Sequence, residues 1–441
     1  MGSSHPVGRQ RSTAFLGLGS GIGLVIANMV GAGVFLSAGF MAQQLSAGWI
    51  LLAWCVGALL AMAGARAYAE VAFLIPRSGG EYRYLSELFH PALGYLAGWA
   101  SLLVGFSAPI AISAYGAAAF FFTVSGGGDA RIGATALVLA LGLFHAMGLR
   151  TSKWMQNTLV ILKGSLILAF VGLGLSLGDN RWPIWQPASG DEGVVLPFAT
   201  SLLFVAYAFS GWNAAAYAAE EFETPRRDVP RAMLIGCAVV GAAYLLVNWV
   251  LVANLAPERA KVVFEYEESR VTLAHVVAGD FLGDAGSAAV SLGIAVMLIS
   301  STSAMALLGP RVCAEMAGDG FLPRWLQGTP GEPPRAAIAL QALFAIALLY
   351  THTIGELLSN VAGILILFSG LVAVGLFRLK HRRPDLPAPR RTALVAAAIY
   401  AASCLWLLFS AFENQTGLLP WVAVAAAVAM VAYGLAQSRL R

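Results

Sequence analysis

Apolar residues fill this chain in long blocks, and polar residues gather in short stretches between them. A run of 18 or more mostly apolar residues predicts a membrane-spanning helix, since crossing the hydrocarbon core takes about 20 residues. The pattern places such helices near 15–41, 46–73, 92–124, 132–149, 154–178, 194–219, 231–254, 284–314, 335–352, 355–378, 392–411 and 417–437. The longest polar connections lie near 179–193, 255–283 and 378–391, and none is large enough for a soluble domain. The expectation is an all-α membrane protein with 12 transmembrane helices.

Two of the blocks are interrupted at matching places. The first reads Ala27-Asn28-Met29-Val30-Gly31-Ala32-Gly33-Val34-Phe35, and the second Tyr207-Ala208-Phe209-Ser210-Gly211-Trp212-Asn213. Glycine inside a helix weakens it by roughly 1 kcal/mol relative to alanine. In lipid each unpaired backbone group costs several kcal/mol, so irregular backbone survives only against protein or a polar cavity. Small residues at a close helix crossing explain either motif alone, but a matched pair, one per half, points to a transporter's binding site. With the breaks in spans one and six, the first ten spans divide into two groups of five. An odd-numbered repeat must insert upside down relative to its partner. The predicted division is a cytoplasmic segment 1–14, a first inverted repeat 15–178, a second inverted repeat 194–378, and accessory spans in 392–437 that serve packing or dimer contact.

Composition and charge refine this picture. Hydrophobic residues make up 59% of the 441 and charged residues only 11%, against about 25% charged in soluble domains. Positively charged residues collect on the cytoplasmic side of membrane proteins. With the N-terminus in the cytoplasm, twenty of the 27 Lys and Arg residues fall in cytoplasmic stretches. The outer loops then hold Arg131, Arg181, Arg259, Lys261 and Arg270, while Arg66 and Lys163 lie within spans. Both termini are therefore expected in the cytoplasm. The net charge of +4 is a topology signal and gives no reason to expect nucleic-acid binding. Cys55, Cys237, Cys313 and Cys404 lie in apolar segments without metal-ligand spacing and read as buried packing thiols. Nothing calls for a cofactor or a metal.

The breaks themselves offer chemistry. Free N–H groups of Ala32, Gly33 and Val34 lie at the positive end of a half-helix, which attracts a carboxylate. Carbonyls around Met29 and Phe209 can accept from an ammonium. A zwitterion bearing both groups on one carbon fits, and Ala32 and Gly33 leave room for its approach. Lys163 lies deep in span five, where an ionisable residue marks a functional site by default. It would serve as a fixed cation, or carry a proton if burial favours its neutral form, and Ser300-Ser301-Thr302-Ser303 supplies hydroxyls that face it or bond back to their own helix. Arg66 and Glu70 share a helix face at i, i+4 and read as an interface ion pair or a gate support. Glu220 and Glu221 close span six, as a solvated helix end or an inner gate. Glu265, Glu267 and Glu268 read as outer-loop surface, and Trp182, Trp185, Trp325 and Trp421 as an aromatic belt. No acidic side chain is visible beside the breaks, so a cationic substrate lacks an obvious counter-charge.

Four stretches resemble the amino acid–polyamine–organocation (APC) transporter superfamily: Gly31 to Phe35; Tyr68-Ala69-Glu70 with Pro76-Arg77-Ser78-Gly79-Gly80-Glu81-Tyr82; Ser210-Gly211-Trp212-Asn213 through Glu220-Glu221; and Arg311 to Pro323. Within it, the Gly-Trp-Asn segment is most similar to the L-type amino acid exchangers and their bacterial relatives. The resemblance implies a LeuT-type 5+5 fold with discontinuous helices 1 and 6, working by alternating access. It implies that the N–H groups of Ala32 and Gly33, beside Gly31, hold the substrate carboxylate. Carbonyls of Met29, Tyr207 and Ser210, with Phe209 adjoining, would hold the amino group. Tyr207 matches a gating Phe, and Asn213 a substrate-pocket Asn. Lys163 matches a lysine that stands in for sodium, with Ser300 and Ser303 as its expected hydroxyl partners. Three positions depart from the usual pattern: Tyr207 replaces Phe, Ser303 stands where Asn is usual, and Ala32 where Ser is common. Loop 124–131 lacks the cysteine that joins animal exchangers to a glycoprotein subunit, so no disulfide-linked heavy subunit is expected.

The expected function is sodium-independent secondary transport of neutral L-amino acids across a plasma or bacterial inner membrane, by exchange or facilitated transport. The rival is proton symport through Lys163. A channel would need polar rings lining a pore, and an enzyme a paired catalytic set that the scattered His90, His145, His275, His352 and His381 do not supply.

Overall fold

The computed structural model describes residues 16–147, 153–185, 194–256, 266–318, 320–329 and 332–414, with positions 430 and 434. Within them the protein is all-helical, its one strand-like contact being an isolated parallel bridge between Leu16 and Phe222. Seven of the described helices are long and apolar enough to cross a membrane, and four shorter apolar helices accompany them. Each of the first eleven predicted intervals coincides with one of these. The twelfth, 417–437, lies outside the described residues, as do Glu265 and Trp421.

Both predicted interruptions are present. Helix α1 (Leu18–Met29) ends where Val30 turns extended, at φ −72° and ψ 95°, and Gly31 is extended as well. Helix α2 (Ala32–Ala42) then restarts the chain. Helices α3 (Ala47–Leu74), α4 (Gly80–Leu88) and α5 (Pro91–Ala100) follow. From α5 the chain runs through a π-helical stretch, Ser101–Ser107, into α6 (Ala108–Ser125). Pro109 has no N–H for the carbonyl of Gly105 and its ring crowds that turn, which accounts for the wide winding there. Helices α7 (Ala130–Ala146) and α8 (Lys153–Leu177) complete the first half.

Span six is helical only over α9 (Val195–Ala208). The chain then loses helical geometry through Gly211, at φ 102°, before the single turn α10 (Ala214–Tyr217). Helices α11 (Pro225–Ala253) and α12 (Glu267–Val271) lead to α13 (Leu273–Gly318), which bends at Gly283. Helices α14 (Arg335–Thr351), α15 (Ile354–Arg382) and α16 (Arg391–Asn414) end the described fold. A capping box of Thr353 and Glu356 opens α15.

Packing follows the apolar surfaces. α11 lies along α3 and α1, while α13 lies along α6. The buried core is continuous around the two breaks, with Tyr244 packed edge-on against Trp54 and Phe209 at 5.6 and 5.3 Å, and Trp54 tilted against Phe209 at 6.0 Å. Two expectations are corrected here. Cys55 is exposed on α3 and is not a packing thiol, whereas the other three cysteines are buried. Glu267 is not free surface: its carboxylate accepts the Ile354 N–H at 2.8 Å, capping α15. Tyr400, Ser403, Cys404 and Leu407 of α16 line a cavity beside the second break.

Candidate functional site

The breaks free carbonyls that a regular helix would have used, and the structure shows what takes them up. The Met29 carbonyl accepts a hydrogen bond from Tyr244 Oη of α11 at 2.5 Å. The Val30 carbonyl accepts from Lys163 Nζ at 3.4 Å and from Ser301 Oγ at 3.2 Å. Lys163 also donates to Ser301 Oγ at 2.9 Å and is buried. A single ammonium thus ties α8, α13 and the first break together. Among the described residues no carboxylate forms an ion pair with it.

The hydroxyl that meets Lys163 is Ser301, whereas Ser300 and Ser303 were the ones expected. Successive residues on a helix are turned by about 100°, so the face that carries Ser301 to Lys163 and the break turns Ser300 and Ser303 away from them. Ser303 points toward α7 and pairs with His145 Nε2 at 3.0 Å. Tyr244 had no signal in the sequence beyond being a polar-tipped aromatic inside an apolar helix.

A cavity of about 130 Å³ opens beside the second break. Its wall includes Asn28 of α1 and Phe209 to Ala214, with Glu81, the π-helical stretch around Ser101 and Gly105, and residues of α3, α15 and α16. Of the predicted substrate residues, Phe209, Ser210 and Asn213 line it. Met29, Gly31, Ala32, Gly33 and Tyr207 do not. Gly33 packs directly against the backbone of Ala208, where a Cβ would not fit. The room that Gly33 provides is therefore taken by α9. Tyr207 is buried in the last turn of α9, and its carbonyl accepts the Ser210 N–H at 2.9 Å.

One acidic side chain stands beside the breaks after all. Glu81 is buried and lines the cavity. Its Oε1 accepts from Asn213 Nδ2 at 2.5 Å and Tyr68 Oη at 2.9 Å, and Oε2 accepts from Tyr217 Oη. Sequence reading missed it because Glu81 lies 132 positions from Asn213. The glycines before it explain the Ser-Gly-Gly run: Gly79 and Gly80 have φ of 116° and 52°, which side-chain-bearing residues rarely adopt. Gly80 also lies against the Tyr217 ring.

The other predicted charges lie away from the cavity wall. Arg66 and Glu70 pair at 3.0 Å and together hold the start of α16, through Thr392 Oγ1 and the Arg390 N–H. After α10, Glu221 and Glu223 exchange backbone hydrogen bonds with Leu16, and the Glu220 N–H donates to Ser78 Oγ. The loop after the second break is therefore knitted to the chain just before α1 and to the Pro76–Tyr82 run.

A paired interruption, a buried lysine on the first break and a cavity at the second describe a solute pathway, and the family comparison agrees. The amino acid permease family model matches residues 16–435. The chain belongs to that family. The permease is a multi-pass membrane transporter of the APC superfamily, not an enzyme. It is similar to the b(0,+)-type amino acid transporter 1 of Mus musculus, 26% identical over 411 residues that cover 91% of this chain and 83% of that protein. It is also similar to the Asc-type amino acid transporter 1 of Mus musculus, 25% identical with 91% and 77% covered. The cystine/glutamate transporter of Homo sapiens is 27% identical to the permease, with 88% and 78% covered.

Proposed function

We propose that the permease is a sodium-independent secondary carrier of neutral L-amino acids, working by alternating access through exchange or facilitated transport. The observation that carries this reading is Lys163: its ammonium bonds the Val30 carbonyl freed by the first break and Ser301 of α13. A fixed positive charge held there leaves no call for a bound sodium to join the same three elements. The three similar transporters each carry amino acids in name, which supports the substrate class.

In this reading the chain has twelve spans with both termini in the cytoplasm of a plasma or bacterial inner membrane. The two inverted repeats are 15–178 and 194–378, and 392–437 is added to them. The substrate carboxylate binds the N–H groups of Ala32 and Gly33 once α9 moves off Gly33. The ammonium binds carbonyls at Tyr207 and Ser210, with Tyr207 as gate and Asn213 at the pocket wall. A neutral side chain is the better fit because the one carboxylate at the cavity among the described residues, Glu81, already accepts three hydrogen bonds. Animal exchangers are joined to a heavy subunit by a cysteine in loop 124–131, which this chain lacks, so the permease is proposed to work without a disulfide-linked partner.

Proton symport is a second reading, favoured by the absence of a carboxylate ion-paired with Lys163 among the described residues. The deciding experiment is a thermal-shift screen of the purified protein against all amino acids, followed by radiolabelled uptake of the binders into proteoliposomes. Binders stabilise the folded state by mass action. Neutral amino acids should raise the melting temperature, and preloading with unlabelled substrate should accelerate uptake. Uptake driven by an imposed proton gradient without such acceleration would favour symport, and no uptake of any amino acid would end the reading.

A further inference from the structure

Glu81 has no assigned part in binding, yet it is the one carboxylate among the described residues that line the cavity. It is 7% exposed, and no Lys, Arg or His among the described residues pairs with it. Its charge is held by three donors alone, and each bond is charge-assisted, roughly twice as strong as a neutral one. The donors come from different places in the fold. Tyr68 belongs to α3, Asn213 to the second break and Tyr217 to α10. The loop before α4 adds a second tie to the same element, because the Gly79 N–H donates to the Tyr217 carbonyl at 3.3 Å and Ser78 Oγ accepts the Glu220 N–H at 2.9 Å. Trp212, the residue before Asn213, packs edge-on against Tyr68 at 4.8 Å.

This arrangement joins two functions at one side chain. Glu81, Asn213 and Tyr217 all line the cavity, so the contact that orders the second break also forms part of the cavity wall. Any motion of α10 that opens this end must separate the phenol and the amide from the carboxylate. Tyr68 need not move, since α3 and α4 are joined by the short run Ile75–Gly79.

We propose that Glu81 is a positioning residue of the transport cycle: its carboxylate latches the second broken helix to α3 and α4, and releases Asn213 and Tyr217 each time that end of the cavity opens. The proposal rests on the alternating-access reading above.

The test uses the full-length permease as wild type, Glu81→Gln, Tyr217→Phe and the double variant, by hydrogen–deuterium exchange in detergent and by uptake in proteoliposomes. Glu81→Gln keeps the shape and removes the charge. It should speed amide exchange in residues 210–223 by about tenfold and leave α13 unchanged, since local opening is read directly by exchange. Turnover should fall by about fivefold or more with apparent KM moving far less, because the interaction lost belongs to the cycle and not to substrate binding. Glu81→Asp, which restores the charge, should recover part of the turnover. The double variant should match Glu81→Gln, because both changes break one latch. Unchanged exchange at 210–223, or effects of the two substitutions that multiply, would overturn the proposal. If Glu81→Gln does not fold, Tyr217→Phe, which keeps the ring on Gly80, is read by the same exchange criterion. If the wild type moves no amino acid, the transport reading fails while the exchange comparison still decides whether the latch exists.

Discussion

Lys163 shows how much one side chain carries at the residue scale. The carbonyl of Val30 has no partner within α1 or α2, and a buried acceptor left unmet costs about 1–3 kcal/mol. Lys163 and Ser301 meet it together. In Lys163→Ala, Ser301 alone remains on that carbonyl and the fixed charge is gone. Proteoliposome uptake is expected to fall by about tenfold or more, a loss of transition-state or intermediate stabilisation of at least about 1.4 kcal/mol. Ser301→Ala keeps the charge and should lose less. Unaltered uptake in Lys163→Ala would reduce the lysine to a packing residue. Tyr244→Phe makes the same argument for the Met29 carbonyl. The ring keeps its edge contacts with Trp54 and Phe209, and only the hydrogen bond at 2.5 Å is lost. Thermal unfolding should register about 1–3 kcal/mol of destabilisation, and an unchanged melting curve would mean that the bond contributes nothing net.

The two breaks belong to the scale of elements, and they differ in kind. The first is two extended residues between helices of twelve and eleven residues. The second depends on Gly211, whose φ of 102° suits glycine and where a Cβ would come within 3.0 Å of the Asn28 backbone. Gly211→Ala should cost about 1–3 kcal/mol through backbone strain alone. Gly23→Ala in α1, with open space around it, should be neutral or stabilising by up to about 1 kcal/mol. Paired thermal melts check both, and equal effects at the two sites would sink the distinction. Apolar blocks and small-residue interruptions made the helices and both breaks legible, because each is a property of neighbouring residues. The partner of Lys163 was legible only as a run of hydroxyls, since helix phase decides which one faces the break and one residue of rotation moves it by about 100°. Glu81 and Tyr244 were not legible at all. Their partners Asn213 and Met29 lie 132 and 215 positions away, and only tertiary packing of α4 and α11 against the breaks brings them together. The neighbour of Gly33 was hidden for the same reason, because its missing side chain makes room for α9.

For the whole molecule, the two breaks are held by different means, and that asymmetry bears on what drives transport. The first is pinned by a cation, Lys163, on carbonyl and hydroxyl oxygens; the second by an anion, Glu81, on phenol and amide donors. Each buried charge is neutralised by oriented dipoles with no counter-ion among the described residues, an arrangement stable only while its hydrogen bonds are kept. A carrier that used sodium to join α8, α13 and the first break would lose that joint when the ion left. In the proposed reading the cation is a side chain of the protein, so it cannot dissociate as a bound ion would. The expected consequence is that replacing sodium with choline on both sides of a proteoliposome leaves the initial rate of neutral amino acid uptake unchanged. Preloading with substrate should accelerate it, because the loaded carrier returns faster than the empty one. A rate that collapses in choline would mean that a sodium ion binds despite the lysine, and the assignment of Lys163 as its replacement would be lost even if Lys163→Ala is inactive.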